Sequence, residues 1–246
     1  MIVTSVEQGW EVVFQKSHGL LAGRIAAEFR DEFRPLLWVE TLEAILSHDD
    51  YKEDFDGKHY VTELGAPKDF TLVSMGARDR LAEAQRRLRE SYRKHRWVGL
   101  LISRHQEHLY GDNDDVSHGM RSLLDDERDR RRRVLRKMGL KKADLEHAYQ
   151  LLRWCDRCSL ILTRGDVPAM GRQIEVTHGL RGERYLMWRR DDDALAVEPW
   201  PFANQQFDVA VEVRQATRLS FDDDRDLIDH LEASEVENRV WRFSNS

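Results

Sequence analysis

The feature that most constrains this chain is a change of hydrophobic period at Gly165. Before it, apolar residues recur every three or four positions; after it, β-branched and aromatic residues run in short stretches broken by Gly, Asp and Pro. A segment patterned for one period cannot keep its apolar side buried in the other, so helices come first and strands second. From Ser17, a good N-cap type, Leu21, Ala22, Ile25 and Phe29 form a helical stripe that includes His18. A second helix follows Pro35, with Trp38, Leu42, Ile45 and Asp49 on one side. Residues 52 to 76 read as a long loop, of the kind that often carries function. Residues 77 to 95 read as a highly charged helix, 97 to 110 as one with Trp97, Leu101, His105 and His108 on a stripe, and 120 to 138 as a solvated one. Lys141 to Thr163 gives a long helix whose inner face is Leu145, Tyr149, Leu152, Asp156, Leu160 and Thr163.

Strand signals stand at both ends. Ile2 to Thr4 and Trp10 to Phe14 flank Glu-Gln-Gly, a hairpin turn, and "RYLMWRR", "ALAVEPW" and "FDVAVEVRQATRL" follow Gly165. The expected architecture is mainly α: an N-terminal hairpin over 1–16, a helical domain over 17–164, and a small antiparallel β subdomain over 165–246 that the hairpin joins. Trp188, Trp200 and Trp241 are assigned to the core of that subdomain.

Charge excludes some partners. A net charge of -6 with 34% charged residues repels nucleic acid and anionic membranes in general. The basic run "RDRRRRVLRKMGLKK" follows acidic "DDE", keeps helical spacing and lacks interleaved aromatics, so it reads as a solvated helix face. No stretch is apolar enough to cross a bilayer and no leader pattern is visible, which gives the expectation of a cytoplasmic protein. Two cysteines fit a reducing compartment; Cys155 and Cys158 lie mid-helix without further zinc-spaced ligands and read as core thiols. Homodimerisation is left open.

Four segments place metal-ligand residue types on inward faces: His18, the pair His48 and Asp49, His105 with His108, and Asp156. An ionised Asp between Leu152 and Leu160 is costly unless paired, hydrogen-bonded or bound to a cation. Imidazole and carboxylate together suit Mn, Fe, Co, Ni or Zn. Adjacent residues on a helix point about 100° apart, so His48 and Asp49 can converge on one ion only near a helix end, where this pair stands. His105 and His108, three apart, share one helix face.

This order, a lone His, an adjacent His-Asp, further His, then a late Asp in "WCDRCSL", resembles the HD-type metal-dependent phosphohydrolases over residues 17 to 164. With the segment "EPWPF", ending in Pro201 and Phe202, the whole chain also resembles an uncharacterised bacterial family of unknown function. The first resemblance implies an HD-like helical bundle, with His18, His48, Asp49 and Asp156 as primary metal ligands. It makes His105 and His108 a second-metal pair or phosphate-binding groups, and sets Asp49 and His105 nearest the chemistry. It implies hydrolysis of a phosphorylated small molecule or nucleotide by a metal-bound hydroxide. Arg24, Lys52, Arg104 and Arg157 lie within a turn or so of these residues and are candidate phosphate clamps. Two rivals stand beside this reading: a di-iron HD-like oxygenase, and a non-catalytic binding or interaction module.

Overall fold

β1 (Ile2–Val6) and β2 (Gly9–Val13) form the expected hairpin, and α1 (Gln15–Ala27) follows directly. The computed structural model describes residues 1–50, 59–112 and 116–245. Five further helices succeed α1: α2 (Trp38–Leu46), α3 (Ala77–Lys94), α4 (Arg96–Tyr110), α5 (His118–Met138) and α6 (Lys142–Thr163). After them come β3 (Ile174–His178), β4 (Arg184–Arg189), β5 (Leu195–Glu198), β6 (Gln206–Ala216), α7 (Asp224–Ala233) and β7 (Val236–Ser244).

The seven strands make one mixed sheet in the order β1-β2-β6-β7-β5-β4-β3, in which β5 and β7 run parallel and the other neighbours antiparallel. This overturns the expected HD-like helical bundle with a small antiparallel β appendage. A single hydrophobic cluster runs from Ile2 and Val13 through α1, α2, α4 and α6 into Val209, Val211, Val213 and Phe243 of the sheet. Arg24 on α1 donates to the carbonyl of Ala210 on β6 at 2.5 Å, tying helix to sheet. Periodicity shows which side of a helix is apolar, not what covers it, and the stripe on α1 reads alike against helices or against strands. The β pattern after Gly165 also conceals α7, whose Leu227 and Leu231 fill a second, smaller core with Val12, Ala216 and Phe221.

Two features position the site. Gly19 and Gly23, one turn apart on α1, leave room for the end of α2: a Cβ on Gly19 would meet the Leu46 carbonyl oxygen at 2.4 Å, and one on Gly23 the Leu46 side chain at 2.2 Å. At Gly19, where the contact is with backbone, only glycine permits that approach, and it delivers the residues after Leu46 to the first turn of α1. The second feature is α6, which is buried on several sides, from Leu145 and Tyr149 through Trp154, Cys155 and Cys158 to Thr163. The thiols are free and buried in the core, and burial pushes both up. Among the described residues, no helix is long and apolar enough to cross a membrane.

Candidate metal centre

His18, one turn into α1, is fully buried. α2 ends at Leu46, and Ser47 to Asp50 form the turn that closes it, the Asp50 amide donating to the Ser47 carbonyl. His48 and Asp49 occupy that turn, both buried. Asp156 enters from the middle of α6 with 17% of its side chain exposed. The His18 and His48 Nε2 atoms are 3.1 Å apart, and Asp156 Oδ1 lies 3.1 Å from the His48 Nε2 and 3.4 Å from the His18 Nε2. Asp49 Oδ2 is 3.7 Å from the first imidazole and 3.9 Å from the second. Three chain segments thus bring four ligand-type side chains together, and His18, His48 and Asp49 already form a group whose ligand atoms lie within 4.8 Å of one another.

Hydrogen bonds on the far side of each ring fix the tautomers. His48 Nδ1 is 2.7 Å from the Ile45 carbonyl oxygen, which can only accept, so Nδ1 carries the proton and Nε2 faces inward with its lone pair. Ser159 Oγ donates to the Asp156 carbonyl at 2.8 Å and has no second proton, so it accepts from His18 Nδ1, also at 2.8 Å. The inward Nε2 of His18 is a lone pair as well. Two lone pairs and two carboxylates facing one another repel unless a cation sits among them. Donor atoms held about 2.1 Å from one ion lie roughly 3.0 to 3.4 Å apart in octahedral or tetrahedral sites, close to the separations among the two imidazoles and Asp156. The donor set therefore fits a divalent transition metal. It resembles the arrangement in which a second set of hydrogen bonds orients metal-bound imidazoles.

The protein without an ion meets the same need with a proton. Burial disfavours the charge on His48, but the carboxylates of Asp156 and Asp49 outweigh it and raise its pKa. Burial lowers that of His18, opposed by the hydrogen bond that its Nε2 gives Asp156 only when the ring is protonated. Burial also resists ionisation of Asp156, yet the charge on His48 and the hydrogen bonds that protonated imidazoles give it hold its carboxyl well below the usual range.

Other sequence-named residues fall outside this group. His105 is buried beside it, its ring perpendicular to that of His48 with centroids 5.6 Å apart and its Nδ1 without a hydrogen-bond partner among the described residues. Burial, reinforced by Arg87, holds it neutral. His108 is exposed on α4 with its ring 6.2 Å from that of Tyr149. Arg24 is spent on the sheet, Arg104 donates to Glu146 at 3.0 Å and lies over the Tyr149 ring, and Arg157 is exposed. Lys52 lies outside the described residues.

Two residues had no place in the sequence reading. Ser159 shares the Asp156 face of α6, three positions on, where a hydroxyl turned inward looks like a neutral core residue. Arg87 is 3% exposed on α3, with a guanidinium nitrogen 4.0 Å from Asp49 Oδ1. Its signal was present: Ala84, Arg87, Leu88 and Ser91 form the buried side of a helix read as highly charged.

Residues 1–218 match the model of a family described as "Protein of unknown function (DUF3891)". No curated protein and no solved structure matches the chain.

Proposed function

The chain therefore belongs to that family, and from the geometry of its ligand cluster we infer a metal-dependent hydrolase acting on a phosphorylated small molecule or nucleotide. The observation that carries this reading is the pair of tautomer-locked imidazoles aimed at each other and at two carboxylates. His18, His48, Asp49 and Asp156 would hold the ion, whose chemistry when bound is that of a Lewis acid and of a lowered water pKa, the requirements of phosphate ester hydrolysis at neutral pH. The remaining residues set the surroundings. Ser159 and the Ile45 carbonyl orient the rings, Leu46 packed on Gly19 and Gly23 fixes the position of the His48 turn, and the partly exposed Asp156 marks the side open to solvent. His105, neutral and with an unpartnered nitrogen, is available to hydrogen-bond a group bound at the centre.

A second reading, oxidation by an iron pair, draws on that same nitrogen of His105 as a further ligand. Metal count separates the two. Protein purified without chelator is analysed for Mn, Fe, Co, Ni and Zn alongside Asp49→Ala and Asp156→Ala, and each metal-loaded form is assayed on p-nitrophenyl phosphate. One ion per chain, lost in both variants, with metal-dependent phosphate release is the expected result. Metal-free wild-type protein whose melting temperature ignores added Mn, Fe, Ni and Zn would sink the hydrolase and the oxygenase together.

A further inference from the structure

Tyr149 stands on the face of α6 that carries Asp156, two turns earlier, and is 1% exposed. Its ring has its centroid 6.2 Å from those of both His105 and His108 on α4, and 4.6 Å from the guanidinium of Arg104, which itself donates to Glu146. The ring is well packed; the hydroxyl is not served. Its oxygen is buried with no hydrogen-bond partner among the described residues, and the same holds for Nδ1 of His105, whose ring lies against that of His48 as well as that of Tyr149. Two unpartnered polar atoms therefore sit on neighbouring buried rings, one of which touches the ligand cluster.

A buried hydroxyl without a partner has lost its water and received nothing in exchange, so such groups are rare in folded proteins. A phenylalanine would keep the ring contacts at position 149 with no polar atom to satisfy. Burial pushes the Tyr149 phenol up and holds His105 neutral, which leaves each side chain uncharged with one hydrogen to donate. Building on the metal-hydrolase reading, we propose that Tyr149 is a substrate-binding residue of that centre, its Oη and the Nδ1 of His105 donating to phosphoryl oxygen of the bound substrate. A phosphoryl group carries more acceptor oxygens than face one ion, and those turned away from the metal need donors. Neither donor depends on a free charge, and both belong to helices that flank the centre. The arginines chosen from sequence are placed differently: Arg24 and Arg104 already serve Ala210 and Glu146, and Arg157 is exposed.

The test compares wild-type protein with Tyr149→Phe, His105→Asn and His105→Leu, reading bound metal by elemental analysis, melting temperature in chelator, inorganic phosphate binding to the metal-loaded protein by calorimetry, and KM and kcat on p-nitrophenyl phosphate. Tyr149→Phe should keep its metal and melt at or above the wild-type temperature, because it removes an unpaired hydroxyl and nothing else. It should bind phosphate about tenfold more weakly and show a KM raised in proportion. His105→Asn, whose amide can donate from near the place of Nδ1, should keep more phosphate affinity than His105→Leu. Wild-type phosphate affinity and KM in Tyr149→Phe overturn the proposal and leave the metal reading standing. A clearly lower melting temperature in that variant also overturns it, because the hydroxyl would then serve the fold. Loss of metal in Tyr149→Phe does the same, since Tyr149 would act through the ligands. Wild-type protein that holds no metal fails at the first measurement, and the hydrolase reading and this subsite fall together.

Discussion

The interface between α1 and α6 is dry at one end and polar at the other. Past the C-terminal end of α1, the Phe29 ring meets Trp154 of α6 and Phe202 at centroid distances of 5.0 and 5.1 Å, edge to face, and Trp154 meets Phe202 at 5.6 Å and Tyr185 at 5.9 Å. The "EPWPF" segment is anchored there through Arg30 N to Pro201 O and Ala203 N to Glu28 O. At the other end His18 meets Ser159, with His48, Asp49 and Asp156 around them. Both ends are buried. The aromatic end is held by area removed from water and by ring geometry, which need no further component. The polar end gathers imidazoles and carboxylates in largely buried surroundings, where the charges of Asp156 and Asp49 favour a proton on His48 in the absence of an ion. One end is held by packing and the other by charge.

Removing the aromatic end should have the largest effect. Trp154→Ala, which deletes a fully buried indole that makes three ring contacts, should cost about 3–5 kcal/mol of stability, equally in chelator and in metal. Urea unfolding under both conditions reads it; a loss that shrinks when metal is added would mean the two ends are coupled and the contrast is false.

Next in size is the metal-linked term. At a free ion concentration about a hundredfold above Kd, wild-type protein should gain ~2.7 kcal/mol over its chelated state. Asp156→Asn should gain none, and in chelator at neutral pH it should be less stable than wild type, because the carboxyl that His48 and the imidazole hydrogen bonds hold well below its usual range contributes stability that a neutral amide lacks. Matched thermal melts with EDTA and with Mn or Zn decide it. A variant as stable as wild type in EDTA would show that Asp156 gives the fold nothing until an ion is bound.

This contrast also governs what could be read from sequence. Trp154, Phe29 and Leu152 announce themselves by hydropathy and spacing, and a carboxylate at position 156 inside such a stripe is conspicuous because the stripe is apolar. His48-Asp49 at a helix end followed from the geometry of neighbouring side chains, and the structure places the pair in the turn after Leu46. The sheet did not follow. Pairing of β2 with β6 joins residues some two hundred apart, and the parallel contact of Leu195 with Phe243 depends on a crossover that no local pattern encodes. Nor did Arg87 or Ser159, since the first needs knowledge of which α3 face turns inward and the second of which atom its hydroxyl meets. Local periodicity shows what wants burial; only the assembled chain shows against what.

Ser159 separates orientation from ligation. Ser159→Ala removes the hydroxyl that accepts from His18 Nδ1 but none of the four ligand-type side chains. Metal affinity should fall about 10- to 100-fold, the usual cost of losing a hydrogen bond behind a ligating imidazole, while stability in chelator changes by no more than about 1 kcal/mol. Titration with Zn in competition with a chromophoric chelator measures the first quantity. Wild-type affinity in Ser159→Ala would mean that the His18 tautomer is set by something other than this hydroxyl.

The smallest effect is the one pH should produce, and its sign follows from which groups titrate at each end. No ionisable side chain takes part in the contacts among Phe29, Trp154 and Phe202, so that end contributes a stability flat across neutral pH. At the polar end a bound metal would compete with a proton for the Nε2 of His48, whose pKa without metal is raised despite burial, by Asp156 and then Asp49. Asp156 stays ionised throughout, because its carboxyl is held well below the usual range. Above the raised value the imidazole is free to bind and affinity is at its full level; as pH falls through it, affinity should drop by up to about tenfold per pH unit, or ~1.4 kcal/mol for the one proton displaced. Measured from about pH 8 to pH 5, a slope near one proton is expected. A flat profile would place the ion away from His48, and a slope near two would mean that His18 also takes up a proton as the metal leaves, against the lowered pKa that its burial gives it.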